Sequence, residues 1–267
     1  MSNLNGSNIH KTSIIEDGAK IGKNCYIGPF CTIGKNVKLE ENVKLVSHIS
    51  INGNTVIGNN TKIWPFASIG NDPQDLKYGG ESTFLEIGSR NKIRECVSIN
   101  PGTSGGGGIT KIGNDCLFML GSHVGHDCKV GNNVVMTNNS ALAGHVIVED
   151  KVIIGGLSGI HQHCRIGEGA MIGALSMVAN DVIPFTTVMG ERANLVGLNI
   201  IGLRRRGGDN EEIKNLKEVY KELFQPNVVL REKAIEISEQ KIESELVNIL
   251  LSFISSTSKR SFTKPNS

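Results

Sequence analysis

The chain has 267 residues, and 32 of them are glycine, a share of about 12% against a usual value of about 7%. Only 4% of the residues are aromatic, so large rings cannot fill a thick central core. Glycine does not recur at every third position, which excludes collagen. A 39% apolar content with a net charge of +2 excludes a disordered chain and a strongly basic nucleic-acid-binding surface.

A six-residue repeat of large apolar residues runs through the first two thirds of the chain. Its members are Ile9, Ile15, Ile21, Ile27, Ile33, Leu39, Leu45, Ile51, Ile57, Ile63, Ile69, Ile87, Ile93, Ile99, Ile112, Phe118, Val124, Val130, Met136, Leu142, Val148, Ile154, Ile160, Ile166, Ile172 and Val178. All 26 positions are apolar, whereas only 39% of the chain is, so chance does not explain the pattern.

The other positions of each hexad are also selective. Glycine often follows the large apolar residue, and Asn, Asp or Gly often stands three places after it. These residue types tolerate positive φ, which predicts a sharp corner at that position. The fifth position is small or β-branched and is predicted to point inward. Five of the six cysteines occupy it and are therefore assigned to packing: Cys25, Cys31, Cys116, Cys128 and Cys164.

Short strands with a corner in every hexad are typical of a parallel β-helix. Three hexads close one triangular coil, so the sequence predicts about nine to ten coils in a domain spanning residues 1–190. Two interruptions predict loops at 71–86 and 100–111. The second loop holds four consecutive glycines, Gly105–Gly108, but no Gly-Lys-Ser/Thr follows, so it is interpreted as a flexible excursion rather than a phosphate-binding loop.

The last part of the chain, residues 191–267, is predicted to be a helical domain that caps the open end of the β-helix. Apolar residues at helical spacing indicate one helix around 213–224 and a second stretch from 235 to 253, with Pro226 as a break between them. The polar end, 255–267, is expected to be loose. No signal peptide or apolar span is recognisable, so the chain is expected to be cytoplasmic.

Five of the seven histidines lie between residues 123 and 163. Steps of about 18 residues, one coil each, place His163, His145 and Asp127 in one column and Gln162, Gly144 and His126 in the next. Such a polar patch fits two chemistries: a histidine base with a backbone oxyanion donor, or imidazoles that bind zinc. The run Arg204–Arg206 fits either a solvated face or a diphosphate site.

Several motifs resemble those of the acyl-[acyl-carrier-protein]–UDP-N-acetylglucosamine O-acyltransferase family, within the hexapeptide-repeat acyltransferases. They are Gln74-Asp75-Leu76-Lys77-Tyr78, His123-Val124-Gly125-His126-Asp127-Cys128, Leu142-Ala143-Gly144-His145, Ile154-Gly155-Gly156, His161-Gln162, and 197–199 through 202–207. The resemblance runs from about Ile9 into the helical part. It implies that the parallel β-helix is left-handed and that the chain forms a homotrimer with sites between adjacent prisms.

The resemblance also implies a reaction, the first step of lipid A biosynthesis. A 3-hydroxyacyl chain passes from acyl carrier protein to the 3-hydroxyl of UDP-N-acetylglucosamine. By similarity His126 is the general base, Asp127 orients or polarises it, and the N–H of Gly144 is the oxyanion donor. A direct contact between His126 and Asp127 is not expected, because adjacent side chains of a strand diverge.

The remaining site residues also follow from the resemblance. Contacts to the nucleotide sugar or the acyl chain are implied for Gln74, Asp75, Lys77, His123, His145, His161, Gln162, Asn199, Arg205 and Arg206. Ala174 occupies the position that limits acyl-chain length. No cofactor, metal, nucleic acid or membrane span is expected. The alternatives are a related acyltransferase that uses a 3-amino sugar nucleotide or acyl-CoA, a γ-type carbonic anhydrase with zinc-bound histidines, and a non-catalytic β-solenoid.

Overall fold

The computed structural model describes residues 2–4, 6–240 and 242–265. Up to the second loop the strands are Ser2–Leu4 (β1), Ser7–Ile9 (β2), Ile14–Ile15 (β3), Lys20–Ile21 (β4), Tyr26–Ile27 (β5), Thr32–Ile33 (β6), Lys38–Leu39 (β7), Lys44–Leu45 (β8), Ser50–Ile51 (β9), Asn54–Ile57 (β10), Lys62–Ile63 (β11), Ser68–Ile69 (β12), Phe84–Ile87 (β13), Lys92–Ile93 (β14) and Ser98–Ile99 (β15). A short 3-10 helix, Ser104–Gly106, lies within that loop.

Beyond it, the strands are Ile109–Ile112 (β16), Leu117–Phe118 (β17), His123–Val124 (β18), Lys129–Val130 (β19), Val135–Met136 (β20), Ala141–Leu142 (β21), Ile147–Val148 (β22), Ile153–Ile154 (β23), Gly159–Ile160 (β24), Arg165–Ile166 (β25), Met171–Ile172 (β26), Met177–Val178 (β27), Thr186–Met189 (β28) and Asn194–Leu198 (β29). The helices are Ile200–Arg205 (α1), Asn210–Leu223 (α2), Leu230–Ser238 (α3) and Glu245–Ser255 (α4).

Successive strands pass in turn through three sheets, which form the walls of a triangular prism. In the described residues the sheets have twelve, nine and eight strands. Within the β-helix the parallel pairs join each strand to the one three further along the chain, except that β26 pairs with β28. The strands β1 and β29 add antiparallel edges to the twelve-stranded sheet. The predicted fold, a mainly β chain with a parallel β-helix of nine to ten coils followed by helices, is confirmed.

The sequence pattern explains the prism. All repeat positions except the half-buried Ile15 are buried and fill its interior. The five cysteines assigned to packing are buried too, and Cys96 is exposed. Positive φ recurs at the fourth hexad position, where it turns the chain into the next wall, and residues such as Asn24, Asn42 and Asp115 carry it. Leucine and phenylalanine also adopt positive φ, as at Leu157 and Phe30, although this conformation is unfavourable for these residue types.

The boundaries of the loops and helices differ from the predicted ones. The loops are shorter, at 70–83 and 100–108, because β13 and β16 are four-residue strands that begin before the next repeat position. The predicted helical stretch from 235 to 253 is two helices: α3 ends at Ser238, and α4 begins at Glu245. The predicted domain boundary after residue 190 stays a prediction, and the antiparallel pair β28–β29 spans it.

The polar end of the chain packs against the β-helix, so the expectation that it is loose was wrong for residues 256–265. Thr263 is buried, and its N–H donates to the carbonyl of Asp181 at 2.8 Å. The N–H of Asp181 donates in turn to the carbonyl of Ser261 at 2.8 Å. This segment thus packs against the last coil of the prism, whereas the expectation that the helices cap the open end stays a prediction. Residues 266 and 267 lie outside the described residues.

In the part of the chain that the structure describes, every helix is too short or too polar to cross a membrane.

Candidate functional site

One corner of the prism, which we call the histidine corner, carries the clustered histidines. It consists of residues 126–127, 144–145 and 162–163, which follow β18, β21 and β24 in three successive coils. The loops 70–83 and 100–108 follow β12 and β15 of the same sheet and therefore leave the prism at the same corner. Two loops and three turns thus form one continuous stack.

The imidazole rings at this corner are in contact across coils. The ring centroids of His126 and His145 are 5.0 Å apart in an edge-to-face arrangement, and those of His145 and His163 are 4.4 Å apart and nearly parallel. Burial lowers the pKa of both His145 and His163. For His163, the neighbouring His145, Lys259 and Arg260 lower the pKa further. Both rings are therefore uncharged at neutral pH.

His126 and Asp127 form a direct hydrogen bond, contrary to the expectation from sequence. The distance between His126 Nδ1 and Asp127 Oδ2 is 2.8 Å. The two residues do not lie in an extended strand, because β18 ends at Val124 and Asp127 has a φ of 60°. Left-handed backbone at Asp127 brings its side chain to the same side as that of His126, so the rule that neighbours diverge does not apply. The carboxylate thus fixes the hydrogen on Nδ1 and leaves Nε2 as the basic nitrogen.

The loop 100–108 is built against the carboxylate of Asp127, so its interpretation as a flexible excursion was wrong. The side chain of Asp127 is fully buried and accepts bonds from Thr103 N (3.0 Å to Oδ1) and Thr103 Oγ1 (2.7 Å to Oδ2). A Cβ on Gly106 would lie 2.0 Å from Asp127 Oδ2. Only glycine at position 106 therefore lets this turn approach so closely. Buried charges need such donors, since unpaired ones are strongly destabilising.

The two loops are also joined to each other. Glu81 Oε1 accepts hydrogen bonds from the backbone N and the side-chain Oγ of Ser104, each at 3.1 Å. Hydrogen bonds from N–H groups lower the pKa of Glu81 to about 2, and the bond from Ser104 N has the largest effect. The Asn100 amide donates to the carbonyls of Asn71 and Asp72, each at 3.2 Å. The first loop is thereby held over the corner.

The carboxylate of Asp75, in the first loop, lies near the ring of His126. Its Oδ2 lies 3.9 Å from His126 Nε2, and its Oδ1 accepts a hydrogen bond from the N–H of Lys77 at 3.0 Å. A separation of 3.9 Å is too long for a hydrogen bond. The side chains of Gln74 and Lys77 are exposed beside it.

Gly144, one coil above His126, lies directly against its ring. A Cβ at position 144 would be 2.5 Å from both Cε1 and Nε2 of His126, so a larger residue would displace the imidazole. Among the described residues no acceptor receives the N–H of Gly144, whereas the N–H of His145 is bonded to the carbonyl of His126. An unused N–H next to a histidine base is the arrangement that stabilises an oxyanion.

His123 and His161 flank the histidine corner, and Gln162 belongs to it. Burial lowers the pKa of His123, whose Nδ1 is 2.8 Å from Ser98 Oγ on the neighbouring strand. His161 and Gln162 are exposed two coils above Gly125 and His126, and they contact Arg260 from the terminal segment.

A metal ion could also be considered at this corner. Within the described residues, His126, Asp127 and His145 each offer one ligand atom, and these atoms lie within 4.8 Å of one another. However, Asp127 already accepts bonds from Thr103 and His126, and His126 uses Nδ1 for that bond. The donor set therefore suits a hydrogen-bonded pair better than an ion, and the expectation of no metal stays a prediction.

Four predicted residues lie away from the histidine corner. Asn199 and Arg206 are at a second corner, formed by Lys151 and Gly169: Asn199 Nδ2 donates to the Gly169 carbonyl at 3.1 Å, and Arg206 donates to the Lys151 carbonyl. Asn199 also caps α1, accepting from Gly202 N at 3.0 Å.

Arg205 is exposed at the end of α1. Ala174 is exposed beside Leu175, at the third corner, which has Leu157 one coil below. A single chain thus separates the predicted site residues among three corners.

Comparison with known proteins decides the family. A family model described as "Udp N-acetylglucosamine O-acyltransferase; Domain 2" matches residues 181–263, and a bacterial transferase hexapeptide model matches 5–35 and 12–47. An acyl-[acyl-carrier-protein]–UDP-N-acetylglucosamine O-acyltransferase of Aliarcobacter butzleri is 48% identical over 253 residues, which are 95% of this chain and 97% of that protein. The chain belongs to this O-acyltransferase family. The Paracoccus denitrificans enzyme of the same description is 51% identical over 204 residues, 76% of this chain and 77% of that one.

Solved structures agree with this family. The UDP-N-acetylglucosamine O-acyltransferase of Moraxella catarrhalis superimposes with a TM-score of 0.92 at 41% identity and covers 96% of this chain and 99% of that one. The UDP-N-acetylglucosamine acyltransferase of Campylobacter jejuni has a TM-score of 0.92 at 36% identity, with 97% and 100% covered. The fold of the O-acyltransferases therefore extends over nearly the whole chain.

Sequence reasoning missed three residues that contact the candidate site: Thr103, Glu81 and Arg260. Thr103 and Glu81 could have been found from the register, because both interruptions of the repeat follow strands of the wall that precedes the histidines. Arg260 left no signal, since the terminal segment carries no periodicity that predicts where it folds back.

The glycines of the second loop give a matched test of its role. Gly106→Ala should lower kcat by about 100-fold, because the new Cβ displaces the Asp127 carboxylate from His126. Gly105→Ala is the control, since a Cβ at position 105 meets no atom within 4 Å. Both variants are compared in a steady-state transferase assay with a check of thermal unfolding. Equal activity of the two folded variants would show that the loop does not hold Asp127.

Proposed function

We propose that the chain transfers a 3-hydroxyacyl group from acyl carrier protein to the 3-hydroxyl of UDP-N-acetylglucosamine, the first step of lipid A biosynthesis, in the cytoplasm. One observation carries the proposal: the imidazole of His126 is bonded to the buried Asp127 at 2.8 Å and lies against Gly144, whose N–H has no acceptor among the described residues. A base, a group that orients it and an oxyanion donor are thus adjacent, which is what acyl transfer to a hydroxyl requires.

In the proposed mechanism His126, Asp127 and Gly144 have distinct roles. Asp127 keeps the hydrogen of His126 on Nδ1, so the lone pair of Nε2 accepts the proton of the sugar 3-hydroxyl. The sugar oxygen attacks the thioester carbonyl carbon, and the resulting oxyanion accepts a hydrogen bond from Gly144 N. When the intermediate collapses, the carbon–sulfur bond breaks and the leaving thiolate takes the proton from Nε2. The products are the ester and the free thiol of the carrier protein.

Other predicted residues have proposed roles around this centre. The carboxylate of Asp75, 3.9 Å from His126 Nε2, is placed to accept a hydrogen bond from the bound sugar. Gln74, Lys77, His123, His145, His161 and Gln162 are proposed to contact the nucleotide sugar or the acyl chain. Asn199 is proposed to act mainly through its cap on α1, which orients the run that contains Arg205 and Arg206.

We infer that the active unit is a homotrimer with its sites between prisms. The support is geometric: the candidate base and the arginines at the end of α1 lie at different corners of one prism, so one chain cannot bring them together. Side-by-side packing of prisms around a threefold axis brings unlike corners of adjacent chains together. Arg205 of one chain would then complete the site around His126 of the next.

The base is tested by His126→Ala. Transfer should fall by about 1000-fold, because a positioned base contributes roughly 100- to 10,000-fold. Products are identified by mass spectrometry after incubation with a mixed pool of 3-hydroxyacyl carrier proteins and UDP-N-acetylglucosamine, or with a 3-amino analogue of that acceptor. Circular dichroism and size-exclusion chromatography confirm that the variant folds and assembles. Turnover at the wild-type rate would refute the mechanism. Exclusive acylation of the 3-amino analogue would show that the acceptor is a 3-amino sugar nucleotide and not UDP-N-acetylglucosamine.

The site between chains is tested by mixing inactive variants. Co-expression of His126→Ala with Arg205→Ala should restore about a quarter of the wild-type activity, because random assembly pairs two intact corners at one interface in four. The control pair is His126→Ala with Asp127→Ala, which lie on the same corner and cannot complement. Recovery in neither pair, with mixed trimers present, would contradict a shared site.

Chain length is tested at Ala174. We propose that its exposed methyl group limits the acyl chain at an intermediate length, since it lies beside Leu175 on a corner that a neighbouring prism can cover. Ala174→Gly should shift the preferred substrate to acyl chains that are longer by about two carbons, because removal of the methyl group opens space for the end of a longer chain. A competition assay with carrier proteins of mixed chain length measures the preference. An unchanged preference would show that Ala174 does not set the limit.

A further inference from the structure

The terminal segment places one arginine on the histidine corner. Arg260 Nη2 lies 2.7 Å from His161 Nδ1, and Nη2 and Nε donate to the carbonyl of Gln162 at 2.9 and 3.1 Å. Arg260 is 98 and 99 residues away from these partners in sequence, so the contact exists only because the chain returns to the β-helix. This arginine is not among the residues for which the family resemblance implied a role.

The distance between Arg260 and His161 determines which imidazole nitrogen carries hydrogen. A guanidinium has only donors and stays protonated, so at 2.7 Å from it His161 Nδ1 must accept. If Nδ1 carried a hydrogen, it would face another N–H at that distance. The Gln162 carbonyl oxygen also lies 3.3 Å from Nδ1, but this contact is longer and that oxygen already accepts two hydrogen bonds from Arg260. His161 is therefore held as the tautomer that carries hydrogen on Nε2.

The backbone around Arg260 is fixed on both sides by one buried carboxylate residue. Ser258 Oγ donates to Asp181 Oδ2 at 2.6 Å, the N–H of Asp181 donates to the Ser261 carbonyl, and the N–H of Thr263 donates to the Asp181 carbonyl. Asp181 is fully buried and pairs with Arg165, whose Nε lies 2.7 Å from Oδ2. Arg260 thus extends from a segment that is anchored two residues before it and one residue after it.

We propose that Arg260 is a positioning residue of the transferase site, which acts by holding His161 as the Nε2–H tautomer so that His161 donates a hydrogen bond to an oxygen of the substrate. The inference rests on the proposed function, because it assigns a substrate contact to His161. It adds a role for the C-terminal segment, which would otherwise only pack against the last coil of the prism. The opposite tautomer would present a lone pair from Nε2 to the substrate oxygen, and the two would repel each other.

The tautomer is measured directly by nitrogen NMR of protein labelled with ¹⁵N-histidine, with His161→Ala used to assign the signals. The wild-type spectrum should show His161 Nδ1 as unprotonated, and Arg260→Ala should give a mixture of both tautomers. Lys264→Ala is the matched control, because it removes a cation from the same segment and should leave the signal unchanged. A His161 signal that is identical in wild type and Arg260→Ala would overturn the proposal, whatever the activity of the protein.

A double-mutant cycle tests whether Arg260 acts through His161. Arg260→Ala should raise KM for the UDP-sugar by about 10-fold with a smaller effect on kcat, the size expected for one lost charge-assisted hydrogen bond. In the His161→Ala background the same change should alter KM less than about twofold. Independent, multiplicative effects would show that Arg260 contacts the substrate itself and would overturn the positioning role. If the wild-type chain showed no transfer at all, the proposed function would fail while the tautomer result still stood.

Discussion

A repeated corner is the constraint on which the rest of the molecule depends. At nearly every sixth residue the backbone enters the left-handed region, which turns the chain from one wall of the prism into the next. Many of these residues are Asn or Asp, which tolerate that conformation, but histidine, leucine and phenylalanine adopt it too and pay a backbone cost of about 1 kcal/mol each. The parallel ladders and the buried apolar columns keep the corners in register.

The same constraint creates the candidate site. Because coils stack in register, residues one coil apart lie above one another, and a surface of several coils is built from short, distant pieces of sequence. Positive φ at Asp127 also turns its carboxylate toward His126, which ordinary strand geometry would forbid. The left-handed corner that makes the solenoid therefore also pairs the candidate base with the group proposed to orient it.

The sequence predicted the periodic part of this arrangement well. The repeat identified the walls, the buried cysteines and the column in which His145 stands above Asp127. The sequence did not predict the contacts that lie outside the six-residue repeat. The bond between His126 and Asp127 depends on one local dihedral angle, and the support from Thr103 and Gly106 depends on how a non-repeating loop folds back. The position of Arg260 depends on packing between segments almost a hundred residues apart.

The predicted site residues are divided among corners of one prism. The candidate base and its supporting loops lie at one corner, whereas the arginines at the end of α1 belong to another. Under the proposed assembly, the site becomes complete only beside a second copy of the chain. The buried carboxylate of Asp127, surrounded by donors, holds the candidate base in place within a single chain.

The most direct test of this account is a crystal structure of the chain with UDP-N-acetylglucosamine. We predict that the 3-hydroxyl oxygen lies about 3 Å from His126 Nε2, within reach for proton transfer, and that the nucleotide contacts Arg205 of an adjacent copy. A sugar bound elsewhere, or one bound with its 3-hydroxyl directed away from His126, would contradict the claim that the histidine corner is the catalytic centre.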